Sequence, residues 1–103
     1  MNDIQVLAEV IMKLHGATPE HIGSVPVKEK FGEKTVWDGT VEVFSLTNHP
    51  SSSRIYAWTH ENDDGNARYV TVLHQHPVVS PETAVRAAII QEYRNFGPNT
   101  EES

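Results

Sequence analysis

Asn62-Asp63-Asp64-Gly65-Asn66 separates two runs of alternating side chains, Arg54–Glu61 and Arg68–His76. Asp-Gly between alternating runs is the strongest short-range hairpin signal, because a tight β-turn needs residues that tolerate positive φ. A hairpin there commits the chain to an antiparallel sheet, and the upstream sequence extends it. Val25, Val27 and Phe31 alternate with Pro26, Lys28 and Lys30, which predicts a first strand at a sheet edge. Gly32-Glu33 turns the chain into a second strand, Thr35–Leu46. Within it Trp37, Val41 and Val43 share one parity and Phe44 and Leu46 the other, so a β-bulge is expected at Asp38-Gly39.

Helical periodicity appears only at the two ends. Ile4, Leu7, Ala8, Ile11 and Leu14 recur at the spacing of one helical face, with Asn2 or Asp3 as cap and Gly16 as stop. Val6, Val10 and Met12 widen that apolar arc beyond the usual surface helix. Thr18-Pro19-Glu20-His21 reads as one short helical turn, and Thr47–Ser53 as a turn-rich loop. Ser80-Pro81-Glu82 opens a last helix with cap, proline and acidic first turn. Val85, Ala88, Ile89, Tyr93 and Phe96 supply its buried face, and Gly97-Pro98 ends it. The expected fold is α+β: an antiparallel meander of three or four strands flanked by an N-terminal and a C-terminal helix. Residues 1–98 form a single domain of common size, and 99–103 form a disordered tail.

Composition narrows the function classes. The chain has no cysteine, which excludes thiolate nucleophiles, cysteine-bound zinc and disulfides, and fits a reducing cytosol. No run approaches the roughly 20 apolar residues of a membrane span, so no membrane partner is expected and the location is read as cytoplasmic. A net charge of −6 argues against nucleic acid, whose affinity for proteins comes mainly from counterion release by basic residues. The helix–three strands–helix order resembles double-stranded RNA-binding domains in topology only. Where those domains begin their second helix with a phosphate-binding lysine cluster, this chain has Ser80-Pro81-Glu82-Thr83.

A hairpin centred on Asp64-Gly65 places Thr59 opposite Val70, Ala57 opposite Val72 and Ile55 opposite His74. One face would then carry Ile55, Ala57, Val70 and Val72 with Val41 and Val43. The other would carry Tyr56, Trp58, His60, Tyr69 and Leu73, joined by Phe44 and Glu42. If both helices cover the first face, an aromatic surface formed by Phe44, Tyr56, Trp58, His60, Tyr69 and Leu73 stays open as an interface or ligand floor. The competing arrangement sets one helix on each face.

Six histidines raise the question of chemistry. His74-Gln75-His76 projects two imidazoles to the same side of a strand, and the loop carrying His49 reaches that end of the sheet. A zinc or other divalent ion held by His49, His74 and His76 is the metal reading; no other cofactor is implied. His60 with Glu42 is the acid–base pair that this register allows, but no Gly-x-Ser-x-Gly or phosphate-binding glycine loop accompanies it. The residues therefore favour a small binding or regulatory module that self-associates as a homodimer over an enzyme. A small-ligand pocket or enzyme on the aromatic face is the alternative, and the residues name no protein or small-molecule partner.

Overall fold

A computed structural model describes residues 3–61 and 65–96. Its elements run α1 (Asp3–His15), β1 (Thr18–Phe31), β2 (Lys34–Thr47), β3 (Arg54–Glu61), β4 (Ala67–Leu73) and α2 (Pro81–Phe96). The four strands form one antiparallel meander in the order β1-β2-β3-β4, so the fold is the expected α+β arrangement.

Local chemistry sets the ends of both helices. Gly16, at φ 64°, returns its amide to Met12 C=O at 3.0 Å and stops α1 as a left-handed glycine cap does. At α2, Ser80 Oγ accepts the Thr83 amide at 3.2 Å, while Thr83 Oγ1 accepts the Ser80 and Val79 amides at 2.9 and 3.0 Å. This is a capping box with threonine in the third-residue role usually held by glutamate. The side chains of Tyr93 and Phe96, the stop at Gly97-Pro98, the tail 99–103, the Asn2 cap and the turn residues 62–64 lie outside the described residues.

Three expectations about the strands are corrected. Thr18-Pro19-Glu20-His21 is the start of β1 and not a helical turn, because its residues pair with Phe44–Thr47 across the hairpin. The register shifts fall at Ile22, between His21 and Gly23, and at Val36, opposite the Glu29/Lys30 step, while Asp38-Gly39 pairs regularly with Lys28 and Val27. Both bulged side chains are exposed, Ile22 at 51% and Val36 at 45%. The parity change in β2 has a different cause: both faces of that strand are buried, Val41 and Val43 on one and Phe44 and Leu46 on the other. Finally, Glu61 pairs with Ala67 and Ile55 with Leu73, one residue from the expected register, and β4 ends at Leu73 rather than His76.

That single step exchanges the faces of β4. Thr71 and Leu73 join Ala57, Ile55, Glu42 and Phe44 on one face, while Val70 and Val72 join Trp58, Tyr56 and Val43 on the other. Each face has its own helix. Leu7 and Ile11 of α1 pack on Phe44, Leu46, Ile55 and Ala57, and Ala84 and Val85 of α2 pack on Val41, Val43, Tyr56 and Trp58. The broad apolar arc of α1 is only partly covered: Leu7 and Ile11 are fully buried, whereas Met12 and Leu14 are exposed.

Gly39 sits where a side chain would crowd its neighbour. A Cβ there would lie 3.1 Å from the Trp37 indole, which crosses the glycine to meet Trp58 edge-on at 5.5 Å between ring centroids. Arg86 Nε of α2 bonds Glu29 Oε1 of β1 at 2.7 Å, so the helix is tethered to the far strand of the sheet.

Candidate functional site

The six residues expected to form one aromatic surface are divided between the two faces of the sheet. Tyr56 and Trp58 lie under α2 at 1% and 3% exposure, and Phe44 lies under α1 at 1%. Leu73 packs on the α1 side, and Tyr69 shares that face at the outer edge of the sheet. His60 lies on the α2 face, where with Trp37, Trp58 and Arg68 it lines a cavity of about 30 Å³. That volume suits one water molecule and is far below the several hundred Å³ of a ligand pocket.

The expected His60–Glu42 pair is also separated, since Glu42 belongs to the α1 face. Its partner is His21, whose Nε2 donates to Glu42 Oε1 at 2.8 Å; the Ser24 hydroxyl donates to the same oxygen. The His21 ring stands edge-on to Phe44 at 5.3 Å. The bulge at Ile22 makes this pairing, because one extra residue in β1 brings His21 and Ser24 to the same carboxylate. Hairpin parity alone misses it.

The three candidate metal ligands do not converge: among the described residues no group of three or more His, Asp or Glu is placed to hold a metal ion. His49 accepts the Ser51 and Ser52 amides on Nδ1 at 3.2 and 3.1 Å and faces His15, with ring centroids 6.2 Å apart. His74 lies on the other side of the sheet, where the Tyr56 hydroxyl donates to its Nδ1 at 2.6 Å. His76 is exposed beyond the strand end. The loop between β2 and β3 is tied to the sheet by Ser52, whose buried Oγ lies 2.9 Å from Arg54 C=O and 3.0 Å from His74 C=O.

Two of these contacts give measurable consequences. Tyr56→Phe removes a hydrogen bond from a nearly fully buried phenol and leaves His74 Nδ1 without it. Urea unfolding should show a loss of about 1 kcal/mol at pH 7.5. His15 has its pKa lowered from 6.5, first by burial and then by His49. A depressed value means that the folded chain resists protonation, so stability is complete above about pH 6.5 and falls as pH drops through the lower folded value. Between pH 7.5 and pH 5, wild type should therefore lose more unfolding free energy than His15→Gln. Equal losses would show that His15 contributes nothing to the acid sensitivity.

A more open concavity lies elsewhere. A groove of about 520 Å³ runs between β4 and α2, lined by Arg68, Val70, Val72, Ala87, Ala88 and Gln91. It borders an edge of the sheet, because β4 ends the strand order among the described residues. The His74 amide bonds Arg54 C=O at 2.9 Å, in line with the β3–β4 register. Antiparallel alternation then directs the main-chain groups of Val72, Val70 and Arg68 inward to β3 and those of Tyr69 and Thr71 outward. The Leu73 carbonyl also points outward but accepts the Gln75 amide at 2.9 Å.

A smaller cavity of about 190 Å³ lies near the start of α1 and includes Asp3, Thr40, Glu42 and Thr59 in its lining. It forms because β2 and β3 pair only over Glu42–Ser45 and Arg54–Ala57 and then diverge. The buried Thr59 Oγ1 in its wall has no hydrogen-bond partner among the described residues. Neither helix is long and apolar enough among the described residues to cross a membrane. Compared with known proteins, the chain matches no family model, no curated protein and no solved structure.

Proposed function

We propose that the chain is a binding module that docks a protein strand onto the outer edge of β4, with the side chains of that strand seated in the groove against α2. One observation carries this reading: the two edges of the sheet are treated differently. β1 carries Pro19 and Pro26, a bulge at Ile22, and Lys28 and Lys30, the devices that prevent strand addition. β4, with the sequence Ala-Arg-Tyr-Val-Thr-Val-Leu over residues 67–73, carries no proline, no lysine and no register shift. Its outward amides and carbonyls at Tyr69 and Thr71 can accept a fifth strand in the β-augmentation mode, in which main-chain bonds supply affinity and alternate side chains fill pockets. Val70, Val72, Ala87 and Ala88 offer those side chains an apolar floor.

The coverage of both sheet faces supports the same conclusion by elimination. With Tyr56, Trp58 and Phe44 inside the cores, the aromatic surface expected from sequence is not available, which leaves the two edges of the sheet, and of these only β4 lacks proline, lysine and a register shift. The test is an NMR titration of labelled protein with a soluble peptide that alternates valine and threonine between lysine ends. Shifts should concentrate at the amides of Tyr69 and Thr71 and at Ala87 and Ala88. Shifts confined to the α1 face or to the β1 edge would contradict the reading.

A further inference from the structure

Resting on that docking edge, we infer that the strand it accepts is β4 of a second copy of this chain, antiparallel about a two-fold axis through Val70. The homodimer then has one continuous sheet of eight strands, with the two α2 helices on one side and the two α1 helices on the other.

The pattern on β4 is self-complementary in this register. A two-fold at Val70 sets Tyr69 opposite Thr71 of the second copy and the reverse, so these two central outward-facing residues of each edge exchange their main-chain bonds. A two-fold at Thr71 would instead pair Tyr69 with Leu73, whose carbonyl already accepts the Gln75 amide, whereas the two-fold at Val70 meets Leu73 only at the terminal Ala67 pair. On the α1 side the register makes two Tyr–Thr pairs, an aromatic residue against a β-branched one, and on the α2 side it sets Val70 against its own copy. Arg68 is the sole charged residue of β4 and falls opposite Val72 of the second copy. In a chain of net charge −6 the contact strand thus carries no acidic residue, and its one charge does not meet its twin.

The helix beside the edge fits the same symmetry. α2 presents Ala87, Ala88 and Gln91 to the groove, with Ile90 next to them at 52% exposure. Small residues let the second helix approach, and the exposed isoleucine gains cover from it. The footprint is sufficient but modest. A seven-residue strand is about 23 Å long, and the shortest extent of the molecule is 26 Å. Their product, on the order of 600 Å² per copy, bounds the contact from above and lies near the lower bound for a specific interface.

Sedimentation equilibrium tests this with wild type, Thr71→Pro and Tyr69→Lys. Proline removes one outward amide per copy at a position where an edge strand tolerates it. Because Thr71 Oγ1 also bonds His15 Nε2 at 3.2 Å, Tyr69→Lys provides a second disruption that leaves that contact intact. Circular dichroism melts identify the variants that keep the fold. Wild type should approach twice the 11.5 kDa chain mass at high micromolar concentration. Each folded variant should dissociate about thirty-fold more readily. A wild type that stays monomeric to about 1 mM while the valine–threonine peptide still shifts Tyr69 and Thr71 overturns the second copy and leaves the docking edge standing. A dimer undiminished in both folded variants overturns the edge contact itself.

Discussion

Replacing Trp58 with alanine should cost about 3–5 kcal/mol of unfolding free energy, read as a lower urea midpoint. Trp58 is 3% exposed, meets Trp37 edge-on at 5.5 Å and packs in the core that includes Val41, Val70 and Val85. Truncation removes the indole from that core and leaves Trp37 without its aromatic partner. Gly39, which makes room for Trp37, then serves no contact, and the outer half of the β1–β2 hairpin keeps the Glu29–Arg86 pair but loses the indole contact on the α2 side. If the aromatic face were open to solvent, the same substitution would cost less than about 1 kcal/mol. The measurement therefore decides between a helix on each face and two helices on one.

Phe44→Ala should have a loss of similar size, about 3–5 kcal/mol, on the opposite side of the sheet. Phe44 is 1% exposed against Leu7, Ile11 and Ile55, and it also supports the His21 ring. A domain of this length has about 5–15 kcal/mol in total, so either substitution removes a large share. The sites belong to separate cores, and their costs should add in the double variant within about 0.5 kcal/mol if the chain still folds. A cost below about 1 kcal/mol for Phe44→Ala, with Trp58→Ala severe, would mean that α1 is not seated on the sheet.

Features governed by local chemistry were legible in the sequence. The cap at Ser80, the stop at Gly16 and the turn at Gly32-Glu33 each depend on a few adjacent residues. Register was not legible, because it depends on how many turn residues lie between paired positions. Five residues between Glu61 and Ala67 rather than six between Glu61 and Arg68 exchange the two faces of β4. The shifts at Ile22 and Val36 have the same origin: nothing in either residue type requires a bulge. The expected places of Tyr69 and Leu73 inherited that one-residue error, whereas those of Phe44 and Glu42 fail on the β2–β3 pairing, which sets Glu42 opposite Ala57 and Phe44 opposite Ile55. The alternation of β2 was misread for a further reason, since a strand buried on both faces has no polar parity to mark its sides. His15 escaped notice as a neighbour of His49 because helix-to-loop proximity follows from the helix lying across the sheet, which periodicity does not specify. The open β4 edge could have been found from the contrast between the prolines and lysines of β1 and the plain β-branched run of β4.

Residue-resolved amide hydrogen exchange, followed from low to high micromolar protein, tests the central claim most directly. The register and the free edge together predict that the Val70 and Val72 amides are protected at every concentration. Those of Tyr69 and Thr71 should exchange freely in dilute solution and become protected as the chain concentrates. Protection of Tyr69 and Thr71 in dilute solution, with free exchange at Val70 and Val72, would contradict both the β3–β4 register and the docking edge built on it.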